Sequence, residues 1–220
     1  PRPRNSGPSC RRWTQTTGDR PCSRSGVDAA SAAAHRVGGS QSADGVMADG
    51  SLVYVGLGGN LGDARRHVSR AIEELNEIPG CRLLTHSSLY RSAPMGPVRQ
   101  GWYVNAVAAL QVELEPPDLL DSLQALERSH GRSRGAERWG PRTLDLDILL
   151  FGARIVDGPG LKIPHPGLTT RNFVVYPLLQ LAPDLVLPDG RRLADVASRL
   201  DREGLEKMEC EPGPAGRSAS

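Results

Sequence analysis

The stretch from Ser51 to Gly80, SLVYVGLGGNLGDARRHVSRAIEELNEIPG, decides the fold. Its first seven residues, 51 to 57, have the apolar, valine-rich composition of a buried strand, and GGNLGD at 58 to 63 then breaks the run. Beyond the break, Val68, Ile72 and Leu75 recur at helical spacing until Pro79 and Gly80 end the pattern. The unit is strand, glycine turn, helix. Gly56, Gly58 and Gly62 miss the GxGxxG spacing of a dinucleotide fold, and later units do not alternate as βαβ throughout, so GGNLGD reads as a structural turn.

Working outward, two β-like runs follow at 82 to 91 and 103 to 114. The connection between them holds Pro94, Gly96, Pro97 and Gly101, is too broken for a tight hairpin, and reads as a binding loop. Pro116 and Pro117 open a second helix in which Leu119, Leu120, Leu123 and Leu126 or Glu127 recur until Gly131. A fourth strand covers 144 to 151. The order βαββαβ predicts an α+β fold, the ferredoxin-like split unit, with helices on one face of an antiparallel sheet. C-terminal additions are expected as a short hairpin around Ile155, a helix from about 169 to 181 and a last helix at 193 to 200. The domain is expected over residues 50 to 205.

Composition bounds the rest. Residues 1 to 46 hold seven Arg, no Lys and three Asp, whereas the remainder holds 20 basic and 22 acidic residues, so the body is near neutral and gives no case for nucleic-acid binding. The segment 1 to 49 is rich in Ser, Gly, Ala, Pro and Arg with almost no large apolar residue, and it is expected to be disordered, as is a tail from 206 to 220. Its Arg-rich, acid-poor character suits a transit peptide, but no amphipathic stripe accompanies it; folding is expected to begin near Met47. Cys10, Cys22, Cys81 and Cys210 show no CxxC pairing, so neither a disulfide framework nor a zinc site is expected. No run approaches the roughly 18 apolar residues of a membrane span. We expect a soluble protein in a reducing, cytoplasmic setting, without membrane or nucleic-acid partners.

In the run from Thr143 to Leu150, alternation puts Asp145 and Asp147 on one strand face and Leu144, Leu146 and Ile148 on the other. Neighbouring carboxylates repel, and a hard divalent cation that also holds nucleotide phosphates compensates them; pairing with nearby arginines on a solvated sheet face is the alternative. Just upstream, Arg132, Arg134, Arg138 and Arg142 stand in a loop with Gly131, Gly135, Gly140 and Pro141. Guanidinium forks match phosphate oxygens and glycines let a loop open and close, so the arrangement suits a lid over a polyphosphate.

The run RWGPRTLDLD at 138 to 147 resembles the signature of the hydroxymethyl-dihydropterin pyrophosphokinases of folate biosynthesis. The resemblance covers roughly residues 51 to 200. It continues through GGNLGD, through Tyr103-Val104-Asn105-Ala106, and through Ile163-Pro164-His165-Pro166 followed by Arg171 and Phe173, in the family's order. It implies transfer of pyrophosphate from ATP to 6-hydroxymethyl-7,8-dihydropterin, with AMP as the other product.

The resemblance also implies roles. Asp145 and Asp147 match the acids that hold two Mg²⁺ ions. Arg132 and Arg142 match arginines that close over the reacting phosphates. Gln124, Glu127, Arg134, Arg138, Trp139, Ile148, Lys162, His165 and Arg171 are implied at the ATP site. Ser92, Pro94, Met95, Tyr103, Asn105 and Phe173 are implied around the pterin, with Asn105 reading its edge and the two rings sandwiching it. On residue type alone Tyr103 and Phe173 would be core, His165 a turn histidine and Glu127 a surface acid. Gly160-Leu161-Lys162 departs from the family's basic residue and hydroxyl before the histidine. The implied partners are the two substrates, with a monomer expected and contact with other folate-pathway enzymes open. Two competing readings are an RNA-binding module of the same strand order, which lacks the aromatic motifs on its central strands, and a metal-dependent nucleotidyl transferase, which leaves Tyr103, Asn105 and Phe173 unexplained.

Overall fold

The computed structural model describes residues 50–94, 100–132 and 140–209. The segment 1–49, the tail 210–220, Met95, Arg134, Arg138 and Trp139 lie outside them.

Strand β1 (Ser51–Gly59) turns Val53, Val55 and Leu57 to one face of the sheet and Tyr54, Gly56 and Gly58 to the other. The expected glycine turn is shorter than 58 to 63, because Gly58 and Gly59 continue the strand. The reason is close approach: a Cβ on Gly59 would lie 2.3 Å from the Thr143 carbonyl oxygen, and one on Gly58 3.1 Å from Asn105 Oδ1. Asp63 then caps helix α1 (Ala64–Glu74), its carboxylate accepting from the Arg66 N–H at 3.0 Å, a contact worth about 1 kcal/mol. Val68, Ala71 and Ile72 are buried, and Leu75 follows them in a single 3-10 turn.

The run expected as one strand at 82 to 91 is two, β2 (Cys81–His86) and β3 (Tyr90–Ser92), both antiparallel to β4 (Tyr103–Val112). Ser87 makes the break. Its N–H donates to Val107 O at 2.8 Å while its hydroxyl accepts from the Val107 N–H at 3.0 Å, so the side chain stands in for a ladder carbonyl. Helix α2 (Pro116–Ser129) buries Leu119, Leu123 and Glu127. Strand β5 (Asp145–Phe151) carries a bulge: Tyr54 pairs with Leu150 but Val55 with Ile148, and the extra residue, Leu149, stays on the Tyr54 face. Strands β6 (Val156–Gly158) and β7 (Leu161–Ile163) form a separate hairpin. Helices α3 (Asn172–Leu181) and α4 (Leu193–Ala197) follow. Residues 206 and 207, expected in the tail, belong to β8 (Leu205–Lys207), which pairs with β3; three exposed residues held by backbone bonds leave no pattern to read.

The sheet runs β5-β1-β4-β3-β8, with β2 also paired to β4, and every pair is antiparallel. Helices α1 and α2 pack on the Val53 face, where Leu119 and Leu123 meet Leu110 and Ile148; each fully buried leucine contributes on the order of 2 kcal/mol of transfer free energy. Helix α3 covers the other face, setting Val174, Val175 and Leu178 against Tyr54, Val107, Ala109 and Leu149. Among the described residues no helix is long and apolar enough to cross a membrane.

Candidate active site

Helix α3 begins only at Asn172, so it leaves the far half of its sheet face open. There Asp145 and Asp147 of β5 stand opposite Gly58 and Gly56 of β1, which have no side chains to fill the space. The result is a cleft of about 350 Å³. Tyr103 and Asn105 of β4 and Ser92 of β3 form one end, Arg132 and Arg142 overhang the acids, and His165, Arg171 and Phe173 close the side nearest α3.

At the charged end, Asp145 is held between two guanidiniums, with Arg142 Nη1 at 2.6 Å from Oδ2 and Arg132 Nη1 at 2.7 Å from Oδ1. Burial works against the Arg142 charge, but Asp145 outweighs it and holds the guanidinium more firmly protonated than usual. Arg132 also contacts Glu127, whose carboxylate accepts from the Leu146 N–H at 2.7 Å. Burial raises the Glu127 carboxyl above the ordinary range, against the opposing pull of that hydrogen bond and of Arg132. Asp147 is raised too, first by enclosure and then by Asp145. Its ion pair is a loose one, with His165 Nε2 at 3.7 Å. His165 Nδ1 accepts from the Gly167 N–H at 2.9 Å, so a neutral ring carries its proton on Nε2, facing Asp147. Burial holds the His165 imidazole below its usual range. Among the described residues no three His, Cys, Asp or Glu side chains form a metal cage. Two carboxylates completed by water and substrate oxygens are nevertheless the donor set that suits Mg²⁺, which seldom takes an all-protein cage.

At the other end, Asn105 is 5% exposed and its Nδ2 donates to Ser92 Oγ at 2.8 Å. The Tyr103 hydroxyl donates to Gln100 Oε1 at 3.0 Å, and Asn60 Nδ2 donates to the same oxygen at 3.0 Å. Asn60 Oδ1 in turn accepts from the Arg142 N–H at 2.9 Å, while Arg142 O receives the N–H groups of Asn60 and Leu61 at 2.9 and 3.2 Å. Asn60 thus ties the end of β1, the approach to Tyr103 and the backbone of Arg142 into one node.

The cleft therefore gathers Arg132, Arg142, Asp145, Asp147, His165, Arg171, Ser92, Tyr103, Asn105 and Phe173 from the sequence expectations. Others stand apart. Ile148 is 3% exposed and points into the opposite core, because alternation on β5 turns it away from the acids. Lys162 pairs with Asp157 at 2.8 Å on the surface hairpin and does not line the cleft. Glu127 is buried behind β5, not a surface acid, and reaches the site only through Arg132; Gln124 lies one turn earlier on α2. Pro94 follows Ala93, which lines the cleft in its place. Asn60, Gln100, Gly56 and Gly58 are additions that sequence reading missed: Gly56 was assigned only to a buried strand and Gly58 to a turn, and the two amides act through contacts made 40 and 82 residues apart.

Carboxylates and guanidiniums at one end of a cleft and a buried amide with aromatic rings at the other define a transferase that brings a phosphorylated nucleotide to a flat, hydrogen-bonding acceptor. The sequence model described as 7,8-dihydro-6-hydroxymethylpterin-pyrophosphokinase (HPPK) matches residues 54–183, and the chain belongs to that family. It is 51% identical over 156 residues to the 2-amino-4-hydroxy-6-hydroxymethyldihydropteridine pyrophosphokinase of Pseudomonas aeruginosa, covering 71% of this chain and 96% of that one. It is 43% identical over 155 residues to the Haemophilus influenzae enzyme of the same name, with 70% and 96% covered. Among solved structures, a triple mutant of Plasmodium falciparum HPPK-DHPS with pteroate aligns with a TM-score of 0.56 at 12% identity, covering 71% of this chain and 46% of that longer one. That likeness concerns the fold.

Proposed function

We propose that the chain transfers a pyrophosphoryl group from ATP to the hydroxyl of 6-hydroxymethyl-7,8-dihydropterin, giving AMP and the pterin diphosphate for folate biosynthesis, and that the two ends of the cleft divide the work. Family membership carries the reaction. The single observation that supports the division is the convergence of Asp145, Asp147, Arg132 and Arg142 with Tyr103, Asn105 and Phe173 on one open half of a sheet face.

In this reading Asn105 and Ser92 present hydrogen-bonding groups to the pterin edge, and Tyr103 and Phe173 supply ring faces. The acceptor hydroxyl attacks the β-phosphorus in line; the new O–P bond forms as the bridge to the α-phosphate breaks and AMP departs. Arg132 and Arg142 exchange Asp145 for phosphate oxygens as the triphosphate enters, and Arg171 and His165 face the same charge from the other side. Asp145 and Asp147, relieved of the guanidiniums, would hold the Mg²⁺ that the resemblance implies, two ions in number. When bound, that metal neutralises charge on the phosphate oxygens. Catalysis is then mostly positioning and charge stabilisation, with no covalent enzyme intermediate. Lys162, Ile148, Pro94 and Gln124 are left outside the reacting set, and Glu127 acts by holding Arg132.

The strand order supports a ferredoxin-like unit made of β1, α1, β2 with β3, β4, α2 and β5, to which the hairpin, α3, α4 and β8 are additions. We take the working form to be a cytoplasmic monomer, and contact with other folate-pathway enzymes fits the HPPK-DHPS chains whose fold it shares. Incubation with ATP, Mg²⁺ and the hydroxymethyl pterin tests the reading. Pterin-dependent AMP is expected; ADP, or free pyrophosphate as from a nucleotidyl transferase, would overturn it.

A further inference from the structure

Two walls of the cleft's aromatic end belong to elements far apart in the chain. One is the end of β3, where Ser92 and Ala93 line the cleft beside Asn105; the other is the start of α3, where Phe173 and Val174 line it. A short segment joins them from behind. Asn172, the residue before Phe173, donates through Nδ2 to Asp201 O at 3.0 Å and Glu203 O at 3.3 Å. That segment is stiffened by the Glu203 N–H donating to Asp201 Oδ1 at 2.8 Å. One residue on, Gly204 O accepts from the Ala93 N–H at 2.8 Å, and β8 then pairs Leu205 with Ser92. Gly204 has φ +69°, and a Cβ there would lie 3.0 Å from Ala93 Cβ, so the contact is close enough to register small changes. The same segment is tied to α3 a second time, where Arg202 Cζ lies 4.3 Å from the Tyr176 ring centroid.

We propose that residues 201–204 are a brace that sets the width of the acceptor end of the cleft, with Asn172 and Gly204 as positioning residues. Neither lines the cleft. The bond to Asn172 locates the start of α3 and hence Phe173, while the bond from Ala93 locates the opposite wall. A planar acceptor held between the Tyr103 and Phe173 rings is bound in proportion to how well they are spaced, so a shift of either wall costs binding in the ground state and the transition state alike. The charged end is anchored separately, by Asn60 and by the pairs among Arg132, Arg142 and Asp145. Arg171, the ATP-side residue next to Asn172, is held by its own N–H bond to Gly167 O at 3.2 Å, so the brace weighs on the pterin more than on ATP.

This inference rests on the assignment of the aromatic end to the pterin. It is tested with the full chain by Asn172→Ala, Gly204→Ala and the pair Ala93→Gly with Gly204→Ala. The single variants are expected to raise the KM for the pterin about tenfold, with the KM for ATP and kcat within about threefold. Ala93→Gly is expected to recover the part of the Gly204→Ala loss that comes from the crowded Cβ, the strain of alanine at φ +69° remaining. A parallel rise in both KM values, or an unchanged pterin KM in folded Asn172→Ala protein, would overturn the brace. If Gly204→Ala fails to fold, Asn172→Ala, at a half-buried position, still decides through the split between the two KM values. Loss of pterin-dependent AMP formation in the wild-type chain would instead overturn the assignment beneath it.

Discussion

Glu127 on α2 accepts a hydrogen bond from the backbone N–H of Leu146 at 2.7 Å, a carboxylate capping the strand that carries the paired acids. The same carboxylate contacts Arg132, so helix, strand and arginine meet at one buried group.

Glu127→Leu leaves the Leu146 N–H buried without an acceptor and should lower stability by about 1–3 kcal/mol in urea unfolding. Glu127→Gln keeps an acceptor oxygen and should cost less. Because burial raises the native carboxyl above its unfolded value, the native state binds its proton more tightly, and wild-type stability should fall as pH climbs through and above the ordinary glutamate range. Gln should flatten that slope; an unchanged slope would remove Glu127 as its source.

Asp147→Asn and Asp145→Asn should separate. The Asp147 carboxyl is raised, so its charge is a burden on the apo fold above the ordinary aspartate range, and Asp147→Asn should leave the melting temperature equal or higher there. Its turnover should drop by at least about 100-fold, the loss of several kcal/mol of transition-state stabilisation. Asp145→Asn leaves Arg132 and Arg142 without their shared carboxylate and should destabilise the apo protein by up to about 1 kcal/mol. Equal melting shifts would contradict the difference in their surroundings.

Asn60→Ala should lower kcat about tenfold while leaving ATP affinity nearly unchanged. The substitution removes the acceptor for the Arg142 N–H and the donor to Gln100 without touching the carboxylates. Single-turnover AMP formation beside nucleotide titration distinguishes this from simple loss of binding.

Burial pushes the Cys81 thiol up to about 11, so roughly one molecule in a thousand holds thiolate at pH 8. Peptide-resolved alkylation should find Cys81 slow at pH 8 and about tenfold faster for each pH unit up to 10. Fast labelling at pH 8 would show the site to be more open than its half-buried place at the start of β2.

Several parts of the fold were legible in the chain: β1 and β4 as apolar runs, β5 by alternation, α1 and α2 by apolar spacing. Asp145 and Asp147 were readable as a pair for the same reason, since Leu146 and Ile148 between and after them are buried. Glu127 was readable in part, because it falls four residues after Leu123 on the buried stripe of α2, although an acid there looks like surface. The break at Ser87 was not legible, because a hydroxyl replacing a ladder carbonyl leaves no periodic trace. The placement of α3 on the second face, the roles of Asn60 and Gln100, and strand β8 depend on contacts between distant segments and have no local signature.

The bulge at Leu149 reconciles two separate counts within seven residues of β5. Counted from Thr143, odd positions face the cleft, which serves Asp145 and Asp147; counted back from Phe151, even positions must face α3, which serves Leu150. One surplus residue absorbs the mismatch. The chain can therefore gain or lose a residue at that joint and keep its acids aimed at the cleft, whereas a single deletion between Thr143 and Asp147 would carry a carboxylate into the apolar core.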